Sequence, residues 1–429
     1  MESAKQLPPD KGFTKYQVFV IAILAILQFT IILDFMVLSP LGERLLLELD
    51  ITTSQFGLVV SAYAFSAGAS GLLAAGFADK YDRKKLLLFF YTGFIAGTIL
   101  CAIAPTYHLL LIARIITGIF GGVIGSISFA IISDLFRLDQ RGRVMGSVQS
   151  AFAASQILGL PIGLLLSNKF GWHAPFWMIA GFGIVLGVCM VLYLKPITGH
   201  LLHRSDRNPF QHMMKTILNS SYLKAFLATT FLATGGFMLM PFGAAFAVNN
   251  MGLTREQLPI LYGVTGFFSI GFGFLTGVLS DKIGKFKVFV IGSVISMIMV
   301  GVYTSLGITA LWIAITINVI LFIGISARMI SASALMTAIP EPQDRGAFMS
   351  INSSVQQISG GVASAVAGLI VVQESNGRLA HYEALGYVVI GSMVLVTWLV
   401  YIINRMVESK AGQGISSDQA PVATMHEAE

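Results

Sequence analysis

About twelve apolar runs, each of about 20 residues or more, fill this sequence, and short clusters of charged residues separate them. A helix rises 1.5 Å per residue, so about 20 residues cross a hydrocarbon core about 30 Å thick. The runs should be helical because a bilayer offers backbone polar groups no water. Charged residues make up 11% of the chain, against roughly 25% in soluble domains. The predicted class is therefore an all-α integral membrane protein with about twelve transmembrane helices, not a soluble enzyme.

We number the predicted spans 1 to 12 in chain order. They cover residues 16–40, 54–78, 86–104, 109–134, 144–168, 174–195, 222–249, 257–280, 288–307, 311–338, 347–373 and 382–405. The first run is longer than the apolar core of a signal peptide and further runs follow it, so we predict a retained helix. Cys101 and Cys189 both lie inside predicted spans, and no disulfide framework is expected.

The Lys and Arg residues are distributed unevenly between the two sets of loops. An even number of spans places both termini on one side, and most of the 27 Lys and Arg residues fall on that side. The opposite loops contain Arg44, Lys169, Arg255 and Arg378. Because cytoplasmic loops carry the excess of Lys and Arg, both termini are predicted to be cytoplasmic. This rule accounts for the net charge of +6 without a nucleic-acid partner, and the basic loops should attract anionic lipid headgroups.

The longest polar interruption divides the chain into two groups of six spans. We predict an N-terminal six-helix bundle over residues 1–195, a cytoplasmic linker over 196–221, a C-terminal six-helix bundle over 222–405 and a disordered cytoplasmic tail over 406–429.

Two short motifs recur in the two groups at nearly the same spacing. The recurring elements are Gly76 with Asp79-Lys80 and Gly277 with Asp281-Lys282 in the loops after spans 2 and 8, and Arg141-Gly142 and Arg345-Gly346 before spans 5 and 11. Such a repeat predicts two parallel copies of one unit, as in transporters whose two bundles move around a central site.

On these motifs the chain resembles the major facilitator superfamily over nearly its whole length. The resemblance implies two pseudo-symmetric six-helix bundles with a substrate site between them, and transport by alternating access. The first loop departs from the family pattern, because Asp82 occupies a position where glycine is usual.

The resemblance also implies a gate at the cytoplasmic face. In the family an acid at the end of span 4, here Asp134, pairs with a loop arginine, here Arg83. Loop glycines would let two helices approach closely, and ion pairs that break when the face opens would form a two-state element. The alternative is a topological signal in a solvated basic loop. The predicted gate residues are Gly76, Asp79, Arg83, Asp134, Arg141, Gly277, Asp281, Lys282 and Arg345.

Asp34 is the one acid that lies well inside a predicted span. An ionisable side chain there costs at least about 2.5–3.5 kcal/mol unless it is paired or hydrated. Arg114 in span 4 lies at a similar predicted depth, roughly 10 Å from the midplane toward the outer face. Burial favours the protonated carboxyl, whereas a nearby arginine favours the carboxylate. Arg114 with Gly118 also resembles a span 4 motif that is associated with proton coupling in the family.

We therefore predict that Asp34 is the proton-coupling group and Arg114 its counter-charge. Two alternatives remain open. One is a fixed ion pair that is always charged, and the other is direct contact between Asp34 and a cationic substrate.

Arg328 in span 10 is a second intramembrane charge, about 6 Å from the midplane on the cytoplasmic side. It is predicted to hold a carboxylate or phosphate of the substrate, or to pair with Asp34 in one state. Snorkelling or hydrogen bonding to span 11 is the alternative. The glutamines of spans 5 and 11 either orient the substrate or join helices. The predicted substrate-binding residues are Arg328, Asn318, Thr30, Phe35, Gln149 and Gln356.

Span 5 carries Gly159, Pro161 and Gly163, which are predicted to serve helix packing. This stretch partly resembles a glycine-proline signature of proton-linked exporters in the family, although Leu160 replaces the glycine before the proline. The match favours export.

The leading interpretation is proton-coupled efflux of a small amphipathic organic molecule. The alternatives are an uptake symporter or uniporter for a sugar or organic anion, and a membrane sensor that transports nothing. No metal-ligand cluster or phosphate-binding loop occurs in the sequence, so no metal, ATP or other cofactor is expected. The expected partners are the substrate, protons and lipids, and the expected form is a monomer in a bacterial inner membrane.

Overall fold

The computed structural model describes residues 12–74, 81–198, 209–341 and 344–418. Within these ranges, 11 helices are long and apolar enough to cross a membrane. Their order and positions confirm the predicted all-α membrane fold. We call the face on which span 1 begins the proximal face, and the face on which span 1 ends the distal face.

Spans 1 to 6 form the first half. Their helices run Lys15–Val37, Thr53–Ala74, Arg83–Ile103, Tyr107–Leu135, Leu138–Ala154 with Leu160–Phe170, and Ala174–Tyr193. A single π-helical turn, Ser155–Gly159, joins the two parts of span 5, and a short helix, Gly42–Glu48, follows span 1.

Spans 7 to 12 form the second half. Their helices run Ser220–Phe237 with Gly243–Asn249, Leu258–Ile283, Lys285–Thr304, Leu311–Met336, Arg345–Ile370 and Tyr382–Asp418. A 3₁₀ turn, Met240–Phe242, interrupts span 7, and a helix, Pro209–Leu218, lies in the linker before it. Strands β1 (Val372–Gln373) and β2 (Leu379–Ala380) pair antiparallel between spans 11 and 12, with Val372 opposite Ala380.

Span 11 is long enough to cross a membrane, but it is not among the 11 helices that are also apolar enough. Its small and polar residues pack against span 2 of the other half. A β-carbon on Gly368 would lie 2.8 Å from the carbonyl oxygen of Thr53, so the two backbones are nearly in contact. Ser61 Oγ also donates a hydrogen bond to the carbonyl oxygen of Gly361 at 2.8 Å. Polar residues are tolerated in span 11 because they face protein there.

Two predicted boundaries differ from the structure. Span 11 was expected to reach residue 373, but its helix ends at Ile370 and the chain turns into β1. Residues 406–429 were expected to be disordered, but the helix of span 12 continues to Asp418. At the start of this continuation, Asn404 Nδ2 donates a hydrogen bond to Oε1 of Glu408, one helical turn later, at 2.9 Å. Such a pair of side chains four residues apart stabilises a helix. Residues 419–429 lie outside the described ranges.

Buried apolar side chains form three clusters. A distal cluster contains residues of both halves, among them Phe56 of span 2 and Phe242 of span 7. Toward the proximal face each half has its own cluster, which contains Leu87 in the first half and Phe348 in the second. Leu72 of span 2 packs against the second of these. The two halves therefore share one apolar core at the distal face and have separate cores toward the proximal face.

Candidate functional site

An ion pair between Asp34 and Arg114 lies inside the first half, and the similar predicted depths of the two residues are consistent with it. Arg114 Nη1 donates to Asp34 Oδ2 at 2.7 Å and to the Asp34 backbone oxygen at 3.3 Å. Both side chains are 0% exposed. The hydroxyl of Thr98, in span 3, donates to Asp34 Oδ1 at 3.1 Å. Each carboxylate oxygen therefore has one donor, and three spans contribute to the site.

Tyr63 and Gly118 explain how the arginine is positioned. The guanidinium carbon of Arg114 lies 4.6 Å from the centroid of the Tyr63 ring, which is a cation–π contact. Gly118 lies one turn after Arg114, and a β-carbon there would be 2.5 Å from the carbonyl oxygen of Tyr63. The glycine thus lets span 2 approach span 4 closely enough to bring the ring over the arginine.

The ion pair is not saturated with hydrogen bonds. Arg114 Nε and Nη2 are buried and have no hydrogen-bond partner in the described part of the chain. Unpaired buried N–H groups are unfavourable, so the pair is less stable than a bidentate one. A pair of this kind can separate at lower cost when the surroundings change.

Phe35 connects the ion pair to the second half. Its ring lies 5.2 Å from that of Tyr63 and 5.7 Å from that of Phe237 in span 7. Phe35 is partly buried, and it was predicted as a substrate contact. Its position between the halves is compatible with that role. The rings of Tyr63, Phe35 and Phe237 form a continuous row from Arg114 to span 7.

Three other predicted substrate residues lie elsewhere. Thr30 is 1% exposed and donates to the Ile26 carbonyl oxygen at 2.9 Å, so it does not face open space in this conformation. Asn318 is buried, whereas Gln356 is partly exposed. Gln149 belongs to span 5, but its side chain is outside the described part of the structure.

Arg328 is buried inside the second half. Its side chain lies between Phe289 of span 9, whose ring centroid is 5.9 Å from the guanidinium carbon, and Gly235 of span 7. It does not pair with Asp34 in this conformation, because Asp34 is paired with Arg114. The residue is 2% exposed, so it does not snorkel.

At the proximal face the predicted pair between Arg83 and Asp134 is present. Arg83 Nε donates to Asp134 Oδ2 at 3.0 Å and joins the start of span 3 to the end of span 4. Arg141 donates instead to the carbonyl oxygens of Phe136 and Ser133, at 3.0 and 2.6 Å, and thereby caps span 4. The predicted gate residues Gly76 and Asp79 lie outside the described ranges.

Asp82, which departs from the family pattern, is the N-cap of span 3. Its carboxylate accepts hydrogen bonds from the backbone nitrogens of Lys84 and Ile197, at 2.9 and 3.0 Å. The corresponding residue before span 9 is Gly284. Its φ is 100°, a backbone conformation that glycine adopts more readily than other residues. The two halves therefore begin their third spans with different turns, and the aspartate adds a helix cap.

The second-half gate residues are not assembled in this conformation. A β-carbon on Gly277 would meet no atom of the described residues within 4 Å, so the predicted close helix contact is not present among them in this conformation. Asp281, Lys282 and Arg345 are all exposed. A polar contact that the sequence did not predict lies nearby, where the hydroxyl of Tyr222 donates to Asp344 Oδ2 at 2.9 Å.

The predicted packing role of the span 5 glycines agrees with the geometry. A β-carbon on Gly159 would be 2.5 Å from Leu33 Cδ1 in span 1, and one on Gly163 would be 3.0 Å from Val37 Cγ2. Pro161 contacts the other half at Gly263 in span 8, and the π turn precedes it. A proline inside a helix removes a backbone donor, and a π turn is a common way to accommodate the resulting kink.

Sequence reasoning missed a polar connection between the halves at the distal face. Arg255 donates from Nε and Nη2 to both carboxylate oxygens of Glu43, each at 2.8 Å. Hydrogen bonding to this carboxylate raises the pKa of Arg255 above its usual value. Asn168 Nδ2 donates to the Arg255 carbonyl oxygen at 2.9 Å. Ser39 donates to the Met240 carbonyl oxygen. We call the Glu43–Arg255 pair the distal latch.

The family model of the Major Facilitator Superfamily matches residues 24–364 and 226–425. The chain belongs to the major facilitator superfamily. It is 29% identical over 266 residues to the uncharacterized MFS-type transporter YceJ of Bacillus subtilis (strain 168), which is 62% of this chain and 67% of the relative. It is 24% identical to the multidrug resistance protein MdtL of Klebsiella pneumoniae (strain 342), over 54% of this chain and 59% of that protein.

The fold is also similar to the crystal structure of a D-xylose-proton symporter. The TM-score is 0.72, with 17% sequence identity over 88% of this chain and 97% of that one. This similarity shows the fold alone. This major facilitator protein is thus a multi-pass membrane transporter by family, and its substrate and driving force have to be argued from its own residues.

Proposed function

We propose that this protein is a proton-coupled exporter of small amphipathic organic molecules. The observation that carries the proposal is the buried pair of Asp34 and Arg114. It is a carboxylate and a guanidinium at one depth, fully enclosed, with two arginine nitrogens unpaired. A carboxyl that is charged beside the arginine and neutral away from it takes up and releases one proton in each cycle.

The proposed orientation follows from the charge distribution, with the proximal face in the cytoplasm of a bacterial inner membrane. The structure then represents a state that is closed to the outside. The distal latch and the shared distal cluster hold the halves together there. Opening to the outside requires the latch to break, and protonation of Asp34 from that side would release Arg114. The transporter is proposed to work as a monomer.

The export direction rests on two observations. One relative is named a multidrug resistance protein, and span 5 carries Gly159 and Pro161 in a stretch that partly resembles the exporter signature. The aromatic rings of Phe35 and Phe237 at the interface between the halves suit an amphipathic cargo. The rival is proton-linked uptake of a sugar or organic anion.

Infrared difference spectroscopy of the purified protein in lipid tests the proton switch. A protonated-carboxyl band should titrate between about pH 5 and pH 9, and it should disappear in Asp34→Asn. Asp50→Asn, which changes an exposed acid of the distal face, is the matched control and should keep the band. If wild type shows no band that depends on Asp34, the pair is permanently charged and coupling at this site is refuted.

Direction is tested separately in everted membrane vesicles with a panel of amphipathic dyes that includes ethidium. Acidifying the vesicle lumen should drive dye into the lumen if protons and cargo exchange. Uptake symport predicts the opposite, because dye would then leave the lumen together with protons. Asp34→Asn should abolish either gradient-driven movement.

A further inference from the structure

Arg328 differs from Arg114 in having no counter-charge. In the described part of the chain its Nε and Nη2 are buried and make no hydrogen bond, and no acid forms an ion pair with it. The six spans of the second half carry acids near their ends alone, such as Asp281 and Glu383, and both of these are exposed. An isolated charge inside a membrane protein costs several kcal/mol or more, on the order of the figures for uncompensated buried ions.

The two unpaired nitrogens form one edge of the guanidinium. Nε and Nη2 point their N–H groups in the same direction, which is the arrangement that binds both oxygens of a carboxylate or phosphate. This whole edge therefore makes no hydrogen bond to the described part of the protein. On the side of span 7, Gly235 has no side chain, and a β-carbon there would still be 3.7 Å from Arg328 Nη1. The same β-carbon would be 3.9 Å from Nη2, so span 7 approaches the guanidinium at residue 235 without presenting a polar side chain to it.

Three serine hydroxyls on the two helices that meet at Arg328 are also buried, without a hydrogen-bond partner among the described residues. They are Ser293 and Ser296 of span 9 and Ser331 of span 10. Spans 9 and 10 are in close contact at this level, since a β-carbon on Gly292 would be 3.2 Å from the Arg328 backbone nitrogen. Ser331 lies one turn after Arg328 on the same helix. A buried hydroxyl without a partner is unfavourable, and several at one contact between two helices are unusual.

We propose that Arg328 and these three serines form an anion-binding site inside the second half. The ligand is a small oxyanion group, a carboxylate or a phosphate, held by the Nε–Nη2 edge with the hydroxyls as neutral donors. Such a ligand supplies the missing counter-charge and satisfies the buried donors at once. Its source is either a free anion or the acidic group of a transported molecule.

Thermal unfolding of the full-length protein in lipid nanodiscs, followed by tryptophan fluorescence, tests the site. Acetate and inorganic phosphate are titrated at constant ionic strength, held by a bulky sulfonate buffer. Both anions should raise the apparent Tm of wild type with saturation, because they bind the folded state. In Arg328→Gln the anion concentration at half-saturation should be at least about tenfold higher. This factor corresponds to about 1.4 kcal/mol, which is typical of the loss of one charge-assisted hydrogen bond.

Two further variants keep the test decisive. Arg378→Gln removes an exposed arginine of the distal face and should retain the full anion effect. Ser331→Ala keeps the charge but removes one hydroxyl, and should weaken binding several-fold even if Arg328→Gln folds poorly. A wild-type Tm that does not depend on either anion would overturn the proposal. So would a response in Arg328→Gln equal to that of wild type.

Exchange of labelled acetate and labelled phosphate across proteoliposome membranes distinguishes the two sources. Exchange that depends on Arg328 assigns the anion to the cargo, whereas saturable stabilisation without exchange assigns it to a free anion retained in the second half. Both results support the site. Asp34 and Arg114 are unchanged in every variant, so failure of the proposed proton coupling would not alter this outcome.

Discussion

Replacing Glu43 by glutamine should open the distal face more often. The Glu43 side chain is 6% exposed and that of Arg255 is 39% exposed, so the pair is neither a surface pair nor a fully buried one. Exposed pairs contribute about 0.2–1 kcal/mol, whereas breaking a buried pair costs about 3–5 kcal/mol. An intermediate value of about 1–2 kcal/mol corresponds to a factor of roughly 5–30 in the equilibrium between closed and open states. The distal-open population should rise by that factor.

The population can be read from the labelling rate of a cysteine buried in the distal cluster. Ala245 is 0% exposed, so Ala245→Cys reacts with a hydrophilic maleimide only when the distal face opens. In nanodiscs, Glu43→Gln should increase this rate about 5- to 30-fold. The rate of the chain without Ala245→Cys corrects for its two native cysteines.

Glu48→Gln is the matched control. Glu48 pairs with Arg44 at 3.1 Å on the same short helix, but this pair does not connect the halves. Its loss should change the labelling rate less than about twofold, since exposed i,i+4 pairs contribute about 0.3–0.5 kcal/mol. Equal rates for Glu43→Gln and Glu48→Gln would show that the latch does not hold the distal face closed.

Three further predictions concern the interior and the proximal face. Asp134→Asn should lower the apparent Tm, because it replaces the charged acceptor of the mostly buried Arg83 by a neutral amide, at a cost of about 1–3 kcal/mol. Gly368→Ala should also lower the apparent Tm by forcing spans 2 and 11 apart, about 1–3 kcal/mol, whereas Gly277→Ala should be neutral or stabilising because its site is open. Asp34→Asn should reduce the yield of monodisperse protein in size-exclusion chromatography, and adding Arg114→Gln should restore part of it, since the double variant has no unpaired charge at this site. No recovery in the double variant would contradict this reasoning.

The Asp34–Arg114 pair could be predicted because charges in apolar runs are conspicuous and depth follows from the helical rise. Both residues fall near the same level when counted from the centres of spans 1 and 4, and the structure pairs them at 2.7 Å. Tyr63 and Thr98 could not be found in this way. Hydroxyl and aromatic residues are numerous in membrane helices, and only the packing at Gly118 brings the ring over the arginine.

The distal latch was missed for a different physical reason. Glu43 and Arg255 lie between the predicted spans, where a charged residue is ordinary in a sequence and its depth cannot be counted from the centre of a span. Gly277 shows the opposite error, because a repeated motif predicted a close contact that this conformation does not contain. A contact between moving halves depends on the state of the molecule, and a sequence encodes all of its states together.

The polarity of span 11 has a consequence for how the chain is inserted during synthesis. Most spans are apolar enough to partition into lipid as they emerge, but Arg345–Ile370 is not among them. Its serines, asparagine and glutamines would face acyl chains until a protein surface receives them. Two surfaces receive them. Span 7 of the same half bonds to Asn352 through Thr229, at 2.6 Å, and span 2 of the other half meets the backbone of span 11 near Gly368. Span 11 is therefore fully covered only when both spans 2 and 7 are in place, and both precede it in the chain.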